Sequence, residues 1–422
     1  MSKPFERLTI ENFAGIKQLD LEIRPFTVLI GPQSVGKSIT AKLLYFFKSV
    51  PLALLKAANA ETQSSPEDVA LKLFGELLPT PTHAGGSSTV TYSIGASKIG
   101  LKHTGERKAQ WKISLPAALR EEFPRLIEAL GKTREEKNKQ DAATIGHMLN
   151  VEYATQEAFL QLADQVLPGS ASTPYFVPAG RSFYAQIERD FASFFQSATL
   201  DPFVAEFGKF FARIKGRRFR LREELPAGKP AHLLVENLLS GSYVREGQED
   251  FIDSRDGRKL PPKLWSSGQQ EAQPLALVLE RYCRGLLRSG FLFIEEPEAH
   301  LFPTAQRTMT ELVSLAFNAH ESTMQIFITT HSPYILTTVN NLLLAGQLYQ
   351  KRISARKKSA LAKVVPADRA LMPETVGAFY MDQDGCRSIL DAETGLIGTS
   401  AIDEVSGNLN EQFDALLDFE RL

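Results

Sequence analysis

Apolar and polar positions alternate along the first 30 residues and predict strands. Arg7–Phe13 and Leu19–Ile23 alternate as strands with one buried face do, whereas Phe26–Ile30 is apolar throughout, as a strand buried on both faces is. A helical run follows from Ile39 to about Val50. The intervening loop, Gly31–Ser38, is polar and contains two glycines. The pattern therefore predicts a strand, a glycine loop and a helix in succession, the setting that a phosphate-binding loop requires.

Residues 51–255 follow a weaker pattern with no internal repeat. Leu119–Leu167 is helical in composition, and apolar residues recur at helical spacing from Phe183 to Arg213. We interpret the second run as a helix whose aromatic stripe faces the core rather than a ligand. Short alternating segments predict strands at Val90–Ile94, Lys98–His103, Gln110–Leu115 and Thr173–Pro178. The stripe consists of Phe183, Ile187, Phe191, Phe194 and Phe195.

In three later segments, an apolar run lies next to polar side chains that can bind or react with a ligand. Ser266–Gln269 precedes an apolar helix, and Phe291–Glu296 is four apolar residues that end in two carboxylates. Gln325–Ile328 is a buried-strand candidate that leads into His331. Because buried parallel strands bring their C-terminal ends to one edge of a sheet, we expect the carboxylates and the histidine to lie near the phosphate loop.

Composition narrows the class of protein. The 422 residues are 43 % hydrophobic and 23 % charged, as in globular proteins, and a formal net charge of −1 excludes a strongly basic binder. Two cysteines cannot build a disulfide framework, which fits a reducing compartment. No run of about 18 apolar residues predicts a membrane span, and the N-terminal segment is too charged for a signal peptide. We therefore expect a cytoplasmic protein.

Charge is nevertheless uneven along the chain. Glu206–Lys229 carries a net +5, Lys351–Arg369 a net +6, and the stretch from Asp382 to the end a net −8. An ordinary solvated surface and a surface that meets a polyanion or an acidic partner both remain open. Within the acidic stretch, Ala378–Leu390 predicts a hairpin that turns at Asp384 and Gly385.

The glycine loop matches the Walker A pattern in full, Gly31-x4-Gly36-Lys37-Ser38. Its glycines let backbone N–H groups turn inward around a β-phosphate, and the helix that follows adds the positive end of its dipole. We expect Lys37 to reach the β- and γ-phosphates of ATP as a catalytic residue, and the Ser38 hydroxyl to ligate Mg²⁺. The residues predicted to bind the nucleotide here are Gly31, Pro32, Gln33, Ser34, Val35, Gly36, Lys37, Ser38 and Ile39.

The acidic strand end, the serine element Ser266–Gln269 and His331 supply the remaining candidates. Glu295 would hold Mg²⁺ directly or through water, and Glu296 would orient or deprotonate the attacking water as a catalytic base. His331, at a strand end, would sense the γ-phosphate. Hydroxyl and N–H groups of Ser266, Ser267, Gly268 and Gln269 would bind an anion, although an ordinary helix cap explains the same residues. The other histidines and the cysteines lack zinc-ligand spacing, so we predict no zinc site.

These elements, in this order, resemble the heads of ABC-type ATPases, which include SMC and RecF proteins. Gly31–Ser38 is similar to Walker A, Ser266–Gln269 to the ABC signature, Phe291–Glu296 to Walker B and His331 to the switch histidine. The segments LTIENFAGI, YFVPAGRSF, SSGQQEAQPLAL, IEEPEAHLFP and TTHSPYIL resemble the OLD-like branch. Glu295 stands where Walker B strands usually carry Asp, and its extra methylene favours a water-mediated metal shell.

The resemblance implies an α/β fold, in which a P-loop parallel sheet is joined by an antiparallel β subdomain and helical insertions. It also implies a homodimer or higher homo-oligomer that sandwiches two ATP molecules, so that Ser266, Ser267 and Gly268 contact the ATP of the opposite chain. A monomer should therefore hydrolyse ATP poorly. The glutamine loop of ABC proteins is not identifiable, and Gln186 and Arg181 are weak candidates for it.

OLD nucleases add a C-terminal Toprim domain, but only 91 residues follow His331, and the long arms of SMC proteins do not fit either. The resemblance then implies an ATPase that controls a separate effector, a nuclease, as in the two-component anti-phage systems PARIS and Septu. The alternatives are a RecF/SMC-like DNA-repair clamp, with weak or indirect nucleic-acid binding, and a transporter's nucleotide domain.

We predict five regions along the chain. These are an N-terminal lobe with the phosphate loop at 1–50, a β/helical insertion at 51–172, a helical region at 173–255, a C-terminal lobe with the serine element, acidic strand and histidine at 256–345, and a β/acidic region without a nuclease domain at 346–422.

Overall fold

A computed structural model describes residues 5–78, 86–104, 110–137, 142–169, 172–186, 200–216, 225–247, 249–287, 290–320 and 323–398. Its strands are β1 Glu6–Phe13, β2 Ile16–Ile23, β3 Phe26–Ile30, β4 Ser88–Ile94, β5 Ser97–His103, β6 Lys112–Ser114, β7 Tyr175–Val177, β8 Gly241–Glu246, β9 Glu249–Ser254, β10 Lys259–Leu260, β11 Phe291–Glu295, β12 Gln325–Thr330, β13 Val376–Met381 and β14 Cys386–Ser388. Its α-helices are α1 Lys37–Asn59, α2 Pro66–Leu77, α3 Ala117–Lys137, α4 Ala142–Val166, α5 Ser182–Gln186, α6 Pro202–Gly216, α7 Gly228–Leu239, α8 Ser267–Cys283, α9 Pro303–Asn318, α10 Pro333–Gln350 and α11 Ala355–Val364.

A six-stranded sheet in the order β14-β13-β3-β12-β11-β7 carries the phosphate loop. Its strands pair in parallel except for β14, which runs antiparallel to β13. Every residue of β3 and β11 is buried, because helices cover both faces of a parallel sheet. The C-terminal ends of β3, β11 and β12 therefore meet at one edge, as their apolar patterns predict.

Strand β13 was not predicted to belong to this sheet. It pairs in parallel with β3, from Val376 opposite Phe26 to Tyr380 opposite Ile30, and so lies directly beside the strand that leads into the phosphate loop. The predicted hairpin is confirmed: β13 and β14 pair antiparallel, with Met381 opposite Cys386. Asp382 and Gln383, at the start of its turn, line one cavity with Ser34 and Val35 of the phosphate loop.

A second sheet, in the order β2-β1-β4-β5-β6, is antiparallel throughout. Burial alternates along β4 and in part along β1, so one face packs on a core and the other meets solvent. Helices α1, α2 and α3 contribute to the core beneath it. The predicted α/β fold class is confirmed: a parallel sheet carries the phosphate loop, and an antiparallel β subdomain and further helices accompany it.

Helix α1 is longer than the sequence pattern predicts. It continues through Pro51 to Asn59, and its face is buried from Thr40 to Ala58. A buried ion pair fastens it to the antiparallel sheet: Lys48 Nζ lies 2.8 Å from Glu6 Oε1, and both side chains are 2 % exposed. Among the described residues, α1 is the one helix long and apolar enough to cross a membrane, and its apolar residues are those of a core helix.

Two predictions for the middle of the chain have different outcomes. The aromatic stripe is placed only at Phe183, in α5, because Ile187, Phe191, Phe194 and Phe195 lie outside the described residues. The strands predicted between residues 90 and 115 and at 173–178 are confirmed as β4, β5, β6 and β7. A small antiparallel sheet, β10-β9-β8, was not predicted, and it lies just before the serine element.

Candidate active site

The phosphate loop fits its place only because two of its residues are glycines. Gly36 has a φ of 108°, in the left-handed region, and caps the start of α1. A Cβ on Gly36 would lie 2.5 Å from Ile16 Cγ1, and one on Gly31 would lie 1.9 Å from the carbonyl oxygen of Met381. The loop is thus held between the β1–β2 turn and the end of β13, with no room for a side chain at either glycine.

Lys37, the first residue of α1, turns back over this loop. Its Nζ donates to the carbonyl oxygens of Gly31, at 2.8 Å, and Pro32, at 2.5 Å. Burial lowers the pKa of the Lys37 ammonium to about 8, although the charges of Glu296 and Glu298 oppose the shift. A phosphate group would supply the negative charge that this desolvated ammonium lacks.

Glu295 ends strand β11 and is only 7 % exposed. Burial raises the pKa of its carboxyl group, while the nearby Ser38 hydroxyl and the charge of Lys42 act in the opposite direction. One oxygen accepts the backbone N–H of Ala179 at 3.4 Å, and the other, Oε1, is buried without a hydrogen-bond partner. A buried, orphaned carboxylate oxygen beside the Ser38 hydroxyl is a donor set that suits Mg²⁺.

This donor set is small. In the described part of the chain, no group of three or more histidine, cysteine, aspartate or glutamate side chains is placed to hold a metal ion. Ser38 and Glu295 offer two oxygens, and an ion such as Mg²⁺ is commonly held by one or two protein oxygens together with water and the phosphates of a substrate.

Glu296 occupies a strained position directly after β11. Its φ is +43°, which is rare for a residue with a side chain, and its backbone N–H donates to the Thr329 carbonyl at 2.8 Å. The turn aims the side chain back across the sheet edge, where Oε1 lies 3.1 Å from His331 Nε2. The partly exposed carboxylate thus faces the same space as the phosphate loop.

His331 joins the acidic strand end to the phosphate loop. Its Nδ1 lies 3.2 Å from Lys37 Nζ and 2.9 Å from the Gly31 carbonyl, and its Nε2 faces Glu296. With a proton on Nε2 the imidazole donates to Glu296, while Nδ1 lies between a donor, the Lys37 ammonium, and an acceptor, the Gly31 carbonyl. The structure thereby brings together the three residues predicted as catalytic.

Glu298 was not predicted, yet it fixes the start of the histidine loop. Its Oε1 accepts both the Thr330 hydroxyl and the His331 backbone N–H at 2.7 Å. Its other oxygen is buried without a hydrogen-bond partner. A third carboxylate two residues after the acidic pair was the sequence signal that could have identified it.

The serine element starts helix α8. Ser266 is the N-cap and forms a capping box: its Oγ accepts the Gln269 N–H at 3.2 Å, and the Gln269 side chain accepts the Ser266 N–H at 2.9 Å. Ser266 and Gln269 therefore form the ordinary helix cap that the sequence allowed. Ser266 and Ser267 are nonetheless exposed, and they line an open groove with Arg258, Leu264 and Phe302. No described phosphate-loop residue lines that groove.

Arg181 is not free to act as a glutamine-loop substitute. It is fully buried, and each guanidinium nitrogen is engaged by carbonyl or carboxylate oxygens of its own chain. Gln186 is the last residue of α5. A glutamine-loop role for Gln186 stays a prediction.

A cavity of about 220 Å³ adjoins the phosphate loop. It lies between the β1–β2 turn, the loop itself and the β13–β14 turn, and it is lined by Gly15, Ile16, Lys17, Gln18, Ser34, Val35, Asp382 and Gln383. A group attached to phosphates in the loop would have this cavity within reach.

Comparison with known proteins gives a family and a set of similar folds. The family model described as "AAA domain, putative AbiEii toxin, Type IV TA system" matches residues 26–337. No curated protein matches the sequence. Among solved structures, the SMC head domain from Thermotoga maritima is 12 % identical, with a TM-score of 0.37, over 79 % of this chain and 92 % of that one. An Smc head domain with an extended coiled coil bound to the C-terminal domain of ScpA, derived from Pyrococcus furiosus, is 10 % identical, with a TM-score of 0.40, over 92 % and 96 %.

Proposed function

Because the chain belongs to the AAA domain family described as putative AbiEii toxin of type IV toxin–antitoxin systems, we propose that it is an ATP-hydrolysing switch that dimerises around ATP. The observation that carries this proposal is the chain of contacts Lys37–His331–Glu296, with successive atoms 3.2 and 3.1 Å apart at the mouth of a complete phosphate loop. An ammonium, an imidazole and a carboxylate are thus placed around one position, where a γ-phosphate would lie.

Each side chain has a role that its surroundings support. Lys37 neutralises the β- and γ-phosphates, and its ammonium leaves the loop carbonyls for the stronger acceptor. Glu296 accepts the proton of the attacking water, and His331 holds Glu296 and contacts the γ-phosphate. Ser38 and Glu295 would hold Mg²⁺, which when bound neutralises charge that develops on the phosphates. The cavity beside the loop receives the nucleoside end of ATP.

The exposed serine element supports a site completed by a second copy of the chain. Ser267 and the first turn of α8 present a helix N-terminus to solvent, which suits a phosphate. Leu264 and Phe302, beside it, are 65 and 74 % exposed. Large apolar side chains around an exposed anion site are a surface that a partner would cover.

The wider role that we propose is control of a separate effector, a nuclease, in bacterial anti-phage defence within the cytoplasm. Its support is the family description, which names a toxin–antitoxin system, together with a site suited to a nucleotide-dependent change of assembly. ATP binding would hold the effector in one state, and hydrolysis would release it.

The test uses Glu296→Gln, which keeps the shape of the side chain and removes the base. We expect this variant to bind ATP with the affinity of the wild type, to hydrolyse it about 100-fold more slowly and to accumulate as an ATP-dependent dimer. Equilibrium nucleotide binding, phosphate release and the native mass with and without ATP check the three expectations. Normal turnover would contradict the role of Glu296, and an unchanged native mass would contradict the dimer.

A DNA-binding clamp is the second candidate, and helix α11 favours it. None of the ten residues of α11 is buried. Six cations surround it, and in the described structure none forms an ion pair: Lys351, Arg352, Arg356, Lys357, Lys358 and Lys363. No acidic residue occurs between Lys351 and Asp368, so a phosphate backbone would meet uninterrupted positive charge.

Reversal of Arg356, Lys357 and Lys358 to Glu separates the two candidates. A clamp should bind duplex DNA with a steep salt dependence and lose about 100-fold in affinity in the triple variant, while ATP hydrolysis is unchanged. Reversal of Lys98 and Lys102 on β5 is the matched control. Weak wild-type binding that no variant changes would leave effector control as the function. The other basic stretch includes Arg217, Arg218 and Arg220, which lie outside the described residues.

A further inference from the structure

A buried ion pair connects the serine element to the acidic strand end. Arg181 and Glu271 are both 0 % exposed, and Arg181 Nη2 lies 3.4 Å from Glu271 Oε1. Glu271 lies in the second turn of α8 and also accepts the backbone N–H groups of Arg181, at 2.7 Å, and Ser182, at 2.8 Å. The carboxylate therefore fixes the segment that follows β7 to the helix that the serine element begins.

The guanidinium of Arg181 also reaches the turn that carries the candidate base. Its Nη1 donates to the carbonyl oxygen of Glu295 at 2.7 Å, and its Nη2 donates to that of Glu296 at 2.9 Å. A third carbonyl, that of Pro178, accepts from Nη1 at 3.2 Å. Only a planar guanidinium presents enough donors to hold these oxygens at once.

Glu296 is consequently held at both of its backbone groups. Its N–H donates to the Thr329 carbonyl in the neighbouring strand, and its carbonyl accepts from Arg181 and from the backbone N–H of Ala299, at 3.0 Å. A residue with a φ of +43° persists only where the surroundings impose that conformation, and these three bonds do so. A shift of the guanidinium would therefore change the direction in which the Glu296 carboxylate points.

The contacts form one continuous path within a single chain. It runs from the first turns of α8 through Glu271 and Arg181 to the backbone of Glu296. From there the Glu296 side chain meets His331, and His331 meets Lys37. One end lies at the surface that would meet a partner, and the other lies in the phosphate loop.

We propose that the Arg181–Glu271 pair is a positioning device that couples the serine element to Glu296 of the same chain. Occupation of the serine element by a partner's ATP then sets the base that acts on the chain's own ATP. This inference rests on the proposed function. It adds a physical reason for the two nucleotide sites of a dimer to hydrolyse ATP in a coupled way. The pair itself touches no nucleotide.

The test exploits the fact that the chain has two tryptophans, one of which, Trp265, directly precedes the serine element. Trp265 is 4 % exposed, and its indole N–H donates to the Leu260 carbonyl at 2.8 Å. Trp111→Phe leaves Trp265 as the single reporter. At concentrations where light scattering shows a monomer, ATP binding to the phosphate loop should change Trp265 emission through the path, and Lys37→Ala should abolish that change.

The decisive variant replaces both charges, Arg181→Met with Glu271→Met, because removal of one partner alone would leave a buried charge unpaired. We expect ATP affinity within about threefold of the reporter chain, no ATP-dependent change in Trp265 emission, and a kcat about 100-fold lower. Glu271→Gln is the milder variant for the case in which the double replacement does not fold, with a kcat about tenfold lower and a reduced emission change.

A second buried pair provides the matched control. Lys48→Met with Glu6→Gln removes charges of similar burial that fasten α1 to the antiparallel sheet, and it should leave both kcat and the Trp265 response intact. Retention of kcat and of the emission change within about twofold in the Arg181–Glu271 variants would overturn the proposal. Failure of the reporter chain to bind ATP, measured with labelled nucleotide, would instead contradict the proposed function and this inference with it.

Discussion

The phosphate loop and the serine element differ in how completely the chain builds them. The loop is enclosed by the β1–β2 turn and the end of β13, its two glycines have no spare room, and Lys37 is already bonded within it. The serine element is exposed and lies in an open groove, with large apolar side chains beside it. One half of the proposed site is prepared within the chain, and the other is presented at the surface.

In the function that we propose, this difference separates two kinds of contribution to one reaction. Groups that bind the triphosphate must be held before it arrives, since every degree of freedom lost on binding weakens affinity. Groups that act across a dimer must stay accessible until the partner docks. Substitutions in the phosphate loop should therefore affect nucleotide affinity, whereas those in the serine element should affect turnover and assembly.

Lys37→Met should have the largest effect. It removes the ammonium of the phosphate loop, and we expect ATP affinity to fall about 100-fold or more and hydrolysis to be abolished. Stability should change by only about 1 kcal/mol, because burial already disfavours the charge that is lost. Isothermal titration and chemical denaturation of the purified variant measure the two quantities. Undiminished ATP affinity would remove the loop from the nucleotide site.

Ser267→Arg tests the exposed side in the opposite way. The new cation would lie where an opposing γ-phosphate should be, far in the sequence from the phosphate loop. We expect wild-type ATP affinity and a loss of hydrolysis of about 100-fold or more. Full hydrolysis at protein concentrations where the wild type is dimeric would show that the serine element is only the helix cap that its capping box forms, and the two-chain site would be wrong.

A mixture of Ser267→Arg with Lys37→Ala sharpens this result. A mixed dimer has one site in which an intact Lys37 faces an intact Ser267, and a second site that carries both defects. With random mixing, half of the dimers are mixed and one site in two is active, so activity should approach about a quarter of the wild-type value if the sites are independent. Coupling through Arg181 and Glu271 would reduce it below a quarter.

The enclosed side was also the more predictable side. Phe26–Ile30 and Phe291–Glu295 are uniformly apolar, and a short buried strand before a glycine loop or a carboxylate has few other interpretations. Parallel pairing of β3, β12 and β11 then brings Lys37, His331 and Glu296 together, although they are up to 294 positions apart. Local pattern and one topological rule were sufficient.

What sequence could not provide was pairing at long range. The sequence of strand β13 resembles that of any short apolar segment and does not identify the strand with which it pairs. Only the folded sheet places Met381 against Gly31. Arg181 was a candidate for the glutamine loop, whereas its guanidinium is fully buried among carbonyl oxygens. Partners of a buried charge lie on other elements, so no local pattern identifies them.

Phe302→Ser should have the smallest effect. It should change two quantities in opposite directions, because the monomer should become more stable and the ATP-dependent dimer weaker. Phe302 is 74 % exposed beside the serine element, and it is also the N-cap of α9, where its side chain offers no acceptor. Serine caps a helix, so the monomer should become more stable by about 1 kcal/mol. The same change removes a large apolar side chain from the surface that a second copy would bury, so the ATP-dependent dimer should be weaker by about tenfold.

Leu233→Ser, at an exposed position of α7, is the control that should leave the dimer unchanged. Denaturation and the ATP-dependent dimer of the Glu296→Gln background report the two effects separately. A dimer as strong as that of the parent would place the partner elsewhere than on the serine element, whatever the stability of the monomer.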